Sequence, residues 1–320
     1  MSAGTSRTVV LVARPNVVLL DLAGPMQVLH GAGGYRILVA SPDGRPVRTD
    51  VGMPLGADLA LADIRPPVDT LLVPGVLSLD ADPAAAGQVR RIGAGARRVA
   101  SVCTGAFLLA EAGFLTGRRA TTHWNSCAEF AARFPDVTVE PDAIHVRDGR
   151  VRTSAGMTAG IDLALALVEE DHGADRARTV ARHLVVFPRR AGGQSQFSDP
   201  HLVPATQHPV LRVVFDAVTS RPDGDHRLGT LADLALVSER HLTRLFRREL
   251  GRTPGQYVEQ VRIQAARALL ESGDASVAAI ARATGFGSAE TLRRAFHRVL
   301  GTTPTAYRQR FHPTPPAAWP

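Results

Sequence analysis

A block of twenty residues occurs twice in this chain, 50 positions apart, and it limits the C-terminal third to a duplicated fold. "SERHLTRLFRRELGRTPGQY" (238–257) aligns without a gap to "SAETLRRAFHRVLGTTPTAY" (288–307). Shared positions include Ser238/Ser288, Leu242/Leu292, Arg244/Arg294, Phe246/Phe296, Leu250/Leu300, Gly251/Gly301, Thr253/Thr303, Pro254/Pro304 and Tyr257/Tyr307. Each copy reads as a helix with Ser at its N-cap. Its Leu and Phe share one buried face, and Gly followed by Pro stops it. The opposite face of the first copy carries Glu239, Arg240, His241, Thr243, Arg244 and Arg247. The second carries Glu290, Thr291, Arg293, Arg294 and His297.

A shorter helical stretch precedes each copy, "LADLALV" and "VAAIARATGFG". Gly285 falls four residues after Ala281, where a helix-turn-helix needs a residue that tolerates the turn. The first copy has Leu236 there, so its motif is expected to be the weaker. Between the copies, "GQYVEQVRIQAARALLESGD" reads as one helix of about 18 residues, roughly 27 Å long. Such a spacer can hold two recognition helices about one DNA turn apart, roughly 34 Å. Arg suits both tasks, forking onto guanine and pairing with phosphate.

The charge agrees. Residues 205–320 hold 16 Arg against 10 Asp and Glu, a net +6, whereas residues 1–204 hold 21 against 20. Nearly all of the chain's +7 therefore lies in one third, which suggests double-stranded DNA as a partner. The chain contains no Lys in either part, a bias that reflects composition rather than function.

Residues 8–188 alternate short apolar strands with helices. "TVVLVA", "YRILVAS", "VDTLLVPG" and "RRVASV" read as buried strands. "LDLAGPMQVLHGAG", "PAAAGQVRRIGAGA", "GAFLLAEAGFL" and "TAGIDLALALVEEDHG" read as helices, and "AIHVRDGRVRTSAG" as a hairpin. The pattern predicts an α/β domain with a mostly parallel sheet. The expected organisation is a sensor domain over 1–190, a linker over 191–209, a helical domain over 210–311 and a disordered tail over 312–320. No run approaches the roughly 18 apolar residues of a membrane helix. The opening "MSAGTSRTVVLVARP" lacks a secretion signal's apolar core, so a cytoplasmic location is expected. Two cysteines, Cys103 and Cys127, give no disulfide framework.

"SVCTG" (101–105) places Cys103 between a strand and a helix, where a nucleophile can be presented at a tight turn. A helix start favours the thiolate and is expected to lower its pKa. A nucleophile also needs a base, and Asp21 and His123 are candidates. Equally, Cys103 reads as a buried structural residue, Asp21 as a helix cap and His123 as a satisfied interior imidazole. No His, Cys and Asp grouping has metal-ligand spacing, and no cofactor is expected.

Two resemblances extend this reading. Residues 228–311 resemble the AraC/XylS DNA-binding domain, most clearly over "IARATGFGSAETLRRAFHRVLGTTPTAYR". That resemblance implies helices starting at Ser238 and Ser288 that enter successive major grooves. Residues 8–188 resemble the PfpI-like superfamily, flavodoxin-type sandwiches related to class I glutamine amidotransferases and isocyanide hydratase. The matching stretches are "LLDLAGPMQVL", "LLVPG", "SVCTGAFLLAEAGFLTGRRATTHW" and "RTSAGMTAGIDLALAL". The likeness implies that Cys103 is the elbow thiol and that Asp21 faces it. It implies that Gly75 and Thr104 offer backbone N–H groups, and that Met157 and Thr158 line the pocket. Thr104 stands where protease-like members have His, which argues against protease activity. Gly75-Val76 replaces a double Gly at the oxyanion site.

Together these imply a flavodoxin-like α/β sandwich followed by an all-α domain with two helix-turn-helix motifs. The expected function is a DNA-binding transcriptional regulator, an activator more than a repressor, that senses a small-molecule effector and is not an enzyme. A homodimer through the N-terminal domain goes with it. The alternative is a cysteine-dependent hydratase or hydrolase of the isocyanide hydratase type that carries a DNA-binding domain.

Overall fold

The first strand, β1 (Arg7–Val12), sends alternate side chains into two different cores. Val9 and Leu11 face one and Val10 and Val12 the other, the pattern of a strand covered on both sides. The computed structural model describes residues 6–65, 67–188, 193–194, 197 and 208–311. In chain order β1 is followed by α1 (Leu19–Ala32), β2 (Tyr35–Ser41), β3 (Val47–Arg48), β4 (Pro54–Leu55), β5 (Leu59–Ala60) and β6 (Thr70–Val73). Then come α2 (Pro83–Ala94), β7 (Arg98–Val102), α3 (Gly105–Glu111), β8 (Arg119–Ala120), α4 (Cys127–Arg133) and β9 (Thr138–Val139). The hairpin β10 (His145–Asp148) and β11 (Val151–Ser154), with α5 (Ala159–His172) and α6 (Ala174–His183), complete this unit.

The main sheet runs β10-β11-β7-β6-β1-β2-β5. Every neighbouring pair is parallel except the β10–β11 hairpin at one edge. Residues of α2, α3 and α4 pack with Val10 and Val12, while residues of α1, α5 and α6 pack with Val9 and Leu11. This is the expected flavodoxin-like sandwich. The sequence reading did not single out α4, α6 or the two-residue strands, because elements that short carry little periodicity.

By compactness the chain divides after Gln194. Gly193 and Gln194, inside the stretch expected to be a linker, are held in the first unit. Gln194 Nε2 donates to Thr121 Oγ1, Thr122 O and Ala143 O at 3.1, 2.9 and 2.9 Å. Most of the remaining linker and the tail expected at 312–320 lie outside the described residues.

In the second unit the described residues form only helices: α7 (Pro209–Ser220), α8 (Leu228–Leu234), α9 (Glu239–Leu250), α10 (Pro254–Ser272), α11 (Val277–Ala283), α12 (Ala289–Leu300) and α13 (Pro304–Phe311). They build two cores. One gathers Leu211, Phe215, Leu231, Leu242, Phe246 and Tyr257, and the other Ile263, Leu270, Ile280, Leu292, Phe296 and Tyr307. The 19-residue α10 supplies both and begins with a Thr253–Gln256 capping box. Ser238 and Ser288 cap α9 and α12, accepting from the N–H of His241 and Thr291. Gly251 and Gly301 end those helices at φ 64° and 63°.

The first motif, expected to be weaker, makes the same turn as the second. Leu236 N–H reaches Asp233 O at 3.1 Å and Val237 N–H reaches Ala232 O at 3.0 Å. Gly285 and Phe286 repeat both bonds onto Arg282 O and Ala281 O, at 3.2 and 2.8 Å. This paired closure is the Schellman pattern. The second turn holds one residue more than the first, the exposed Gly287, before its capping serine.

Candidate functional site

The parallel strands carry the first candidate site to the end of β7. There Cys103 and Thr104 bridge Val102 and Gly105. The helix can start so near β6 because residue 105 is glycine: a Cβ would fall 2.0 Å from Val73 O. Cys103 takes φ 57°, a left-handed backbone that costs a non-glycine residue on the order of 1 kcal/mol. Its N–H donates to Ser154 O and Ala155 O at 3.1 and 3.2 Å, and Thr122 Oγ1 donates to its carbonyl at 2.8 Å. Those bonds over-determine the elbow.

Two further glycines make room for the thiol. A Cβ at Gly156 would lie 2.7 Å from Cys103 Sγ and 2.5 Å from His123 Cδ2. One at Gly75 would meet Asp21 Oδ2 at 2.7 Å and Cys103 Cβ at 2.9 Å. Asp21 is fully buried on α1. It does not cap that helix, whose N-cap residue makes no side-chain bond. Instead its Oδ1 accepts Met157 N–H at 2.7 Å and its Oδ2 accepts Gly75 N–H at 3.2 Å.

The electrostatics differ from the sequence expectation. Burial, reinforced by the neighbouring Asp21 carboxylate, pushes the Cys103 thiol far above its usual pKa, although Thr104 N–H pulls the other way. The thiolate-favouring effect expected of a helix start is outweighed. Burial also raises Asp21, to about 6, against the two N–H bonds it accepts.

Cys103, Asp21, Gly75, Thr104 and the Met157 backbone therefore meet, while the side chains of Met157 and Thr158 are exposed. Thr104 adds a brace that sequence reasoning missed. Its hydroxyl donates to Val76 O at 2.8 Å and accepts Val76 N–H at 2.9 Å, closing that peptide. Gly75 N–H, the other expected oxyanion donor, is held by Asp21. His123 Nδ1 lies 2.6 Å from Asn125 Oδ1. Among the described residues no group of His, Cys, Asp and Glu could hold a metal ion.

The second candidate site is the outer face of α9 and α12. Arg240, Arg244 and Arg247 line one groove with Leu228, Glu239 and Thr243. Arg293 and Arg294 are exposed on α12 beside Thr291. Arg293 pairs with Glu290 at 2.8 Å and Arg244 lies 3.2 Å from His241 Nδ1. Among the described residues Arg240, Arg247 and Arg294 carry no ion pair. The repeat also matches Arg248 to Arg298, an identity the sequence reading passed over.

The DJ-1/PfpI family model matches residues 6–170 and a helix-turn-helix domain model matches residues 231–310. The HTH-type transcriptional regulator Rv1931c of Mycobacterium tuberculosis is 37% identical over 77% of this chain and 96% of its own length. The chain belongs to the AraC-type transcriptional regulators built on a DJ-1/PfpI domain. The regulator is similar in fold to a ThiJ/PfpI family protein from Pseudomonas syringae. That structure is 26% identical with a TM-score of 0.53, covering 72% of this chain and 90% of its own. The isonitrile hydratase of Pseudomonas putida is 38% identical, but over 54% of the regulator and 76% of the enzyme. Among the regulator's described residues no helix is long and apolar enough to cross a membrane.

Proposed function

We propose that this regulator reads promoter DNA with α9 and α12 in successive major grooves, and that a small molecule held at the Cys103–Asp21 pocket adjusts that binding without turnover. The observation that carries the reading is the repeated basic helix, capped and packed alike in both copies, with Arg240, Arg247 and Arg294 uncommitted to ion pairs among the described residues. Ser238, Glu239, Arg240, His241, Thr243, Arg244, Arg247, Ser288, Glu290, Thr291, Arg293 and Arg294 form the DNA face. Base-edge readout falls to Arg240 and Arg244 on α9 and to Arg293 and Arg294 on α12, and phosphate positioning to Arg247 and the hydroxyl side chains.

The sensing half of the reading draws support from a pocket unready for nucleophilic chemistry. The thiol is held protonated, Gly75 N–H is taken by Asp21, and Thr104 closes the Val76 peptide. Activation of transcription, a cytoplasmic location and a homodimer through the first unit belong to the same reading. Fluorescence anisotropy against the chain's own upstream DNA and a scrambled control, near physiological salt, tests it. Preference for the native fragment is expected; equal, strongly salt-dependent binding to both would reduce the contact to phosphate charge.

The Asp21–Cys103 pair, together with the hydratase likeness, favours a second reading in which the pocket turns over isocyanides. Loss of isocyanide in excess of protein, abolished by Cys103→Ser, would establish it. No loss, with a small molecule shifting DNA affinity, leaves the regulator alone.

A further inference from the structure

The two helical cores share α10, and a side chain near its middle joins them a second time. Arg262 Nε donates to Pro222 O at 2.9 Å and Nη2 to Gly224 O at 2.8 Å, both in the loop between α7 and α8. Asp223 and Asp225 of the same loop add charge attraction to the guanidinium. The guanidinium also lies against the turn between α11 and α12. A Cβ on Gly285 would fall 2.7 Å from Arg262 Nε, 2.8 Å from its Cζ and 2.7 Å from Pro222 O. The turn of the second motif is thus packed on the loop that leads into the first. Among the described residues no helix of α7–α9 makes a substantial contact with α11–α13. Their relative placement rests chiefly on α10, which as a single helix can bend and twist, and this contact braces it.

We propose that Arg262 is a positioning residue that fixes the separation and angle of the two recognition helices, and so selects DNA whose two half-elements stand at one spacing. The proposal rests on α9 and α12 reading DNA as above. Moving a half-element by one base pair shifts it by about 3.4 Å and turns it by about a tenth of a helical turn. Two readers held rigidly lose contacts at the wrong spacing, whereas two loosely held readers recover them. The forked guanidinium matters because a lysine at 262 has one ammonium and cannot reach both carbonyls in the same fixed geometry.

The full-length chain is first used to select sites from random DNA. Anisotropy then measures affinity for the selected site and for versions with its half-elements one base pair nearer or further apart. Wild type is expected to lose about tenfold or more at either altered spacing. Arg262→Ala is expected to bind all spacings within about threefold while keeping base discrimination inside each half-element, with Arg262→Lys intermediate. Gly285→Ala keeps Arg262 but drives a methyl into it, so it should flatten the preference too and carries the test if Arg262→Ala does not fold. Affinity lowered equally at every spacing, with the preference intact, overturns the proposal. A selected site without a second half-element overturns the two-reader reading itself, and the proposal with it.

Discussion

Leu236 holds the same left-handed turn position as Gly285, at φ 54° against 78°. Leu236 is 92% exposed, so it gains little packing for the strain of that backbone. Leu236→Gly is therefore expected to stabilise the helical unit by about 0.5–1 kcal/mol, read as a higher melting temperature for the full chain. An unchanged or lower value would mean that glycine's added freedom in the unfolded chain cancels the relief.

Each core packs its repeat's aromatic pair alike, Phe246 on Tyr257 at 5.7 Å and Phe296 on Tyr307 at 5.5 Å between ring centroids. Their hydroxyls differ. Tyr307 OH accepts from Arg267 Nε at 2.9 Å and donates to Glu271, and Arg267 is only 4% exposed. Tyr257 OH is buried with no hydrogen-bond partner among the described residues. Tyr307→Phe should cost about 1–3 kcal/mol, whereas Tyr257→Phe should be neutral or slightly stabilising. Thermal melts of the two variants side by side test the contrast; equal losses would contradict it.

Burial and Asp21 hold the Cys103 thiol protonated, so iodoacetamide should label it far more slowly than a free cysteine near neutral pH. Asp21→Asn removes the nearby negative charge, and labelling followed by mass spectrometry should then speed up several-fold. Rapid labelling of the wild type would show the thiolate to be accessible after all.

Asp21 also links stability to pH. Its folded pKa, about 6, lies above its unfolded value, so the folded state binds the extra proton. That contribution is full below the unfolded value near 4 and is lost as pH rises through about 6. Against Asp21→Asn, which cannot titrate, the wild type should lose relative stability, on the order of 2 kcal/mol, between about pH 4.5 and 8. Urea unfolding across that range measures the difference, and a pH-independent one would remove Asp21 as its source.

Replacing Arg240 and Arg244 with Ala should lower the preference for operator over random DNA by roughly tenfold or more, since each base contact contributes about 1–3 kcal/mol. Arg247→Ala, if it meets phosphate, should weaken both DNAs alike and reduce the salt dependence by about one ion. Competition anisotropy separates the cases. Unchanged discrimination in the double variant would take α9 out of the base-reading face.

Much of the fold was legible because its signals are local. The strands around Val9, Leu38 and Leu72 are short apolar runs, and the hairpin at Asp148-Gly149 has its own turn chemistry. The gap-free repeat announced two helices with the same cap, buried face and stop. The Cys103 elbow was legible for a separate reason, because strand, small residues and helix adjoin in sequence. What the sequence left open is set by distance. The residues around Cys103 alone could not place Asp21 or His123. Resemblance put Asp21 opposite the thiol, and the fold shows how, carrying Asp21, 82 positions away, onto the Gly75 and Met157 N–H groups. His123 Cδ2 and the thiol both lie beside Gly156. The direction of the Cys103 pKa was misread for the same reason. A helix start is visible in the sequence, but the desolvation that overrides it is supplied by residues from other strands and loops. Leu236 broke the turn rule in the sequence, yet the Schellman bonds to Asp233 and Ala232 impose the turn regardless. The sequence alone determined the longer apolar strands and helices, the repeat and the identities at each site. Tertiary packing decided which groups meet, which N–H groups Asp21 takes up and how α9 and α12 are held to one another, because these depend on burial and distance between residues far apart in the chain.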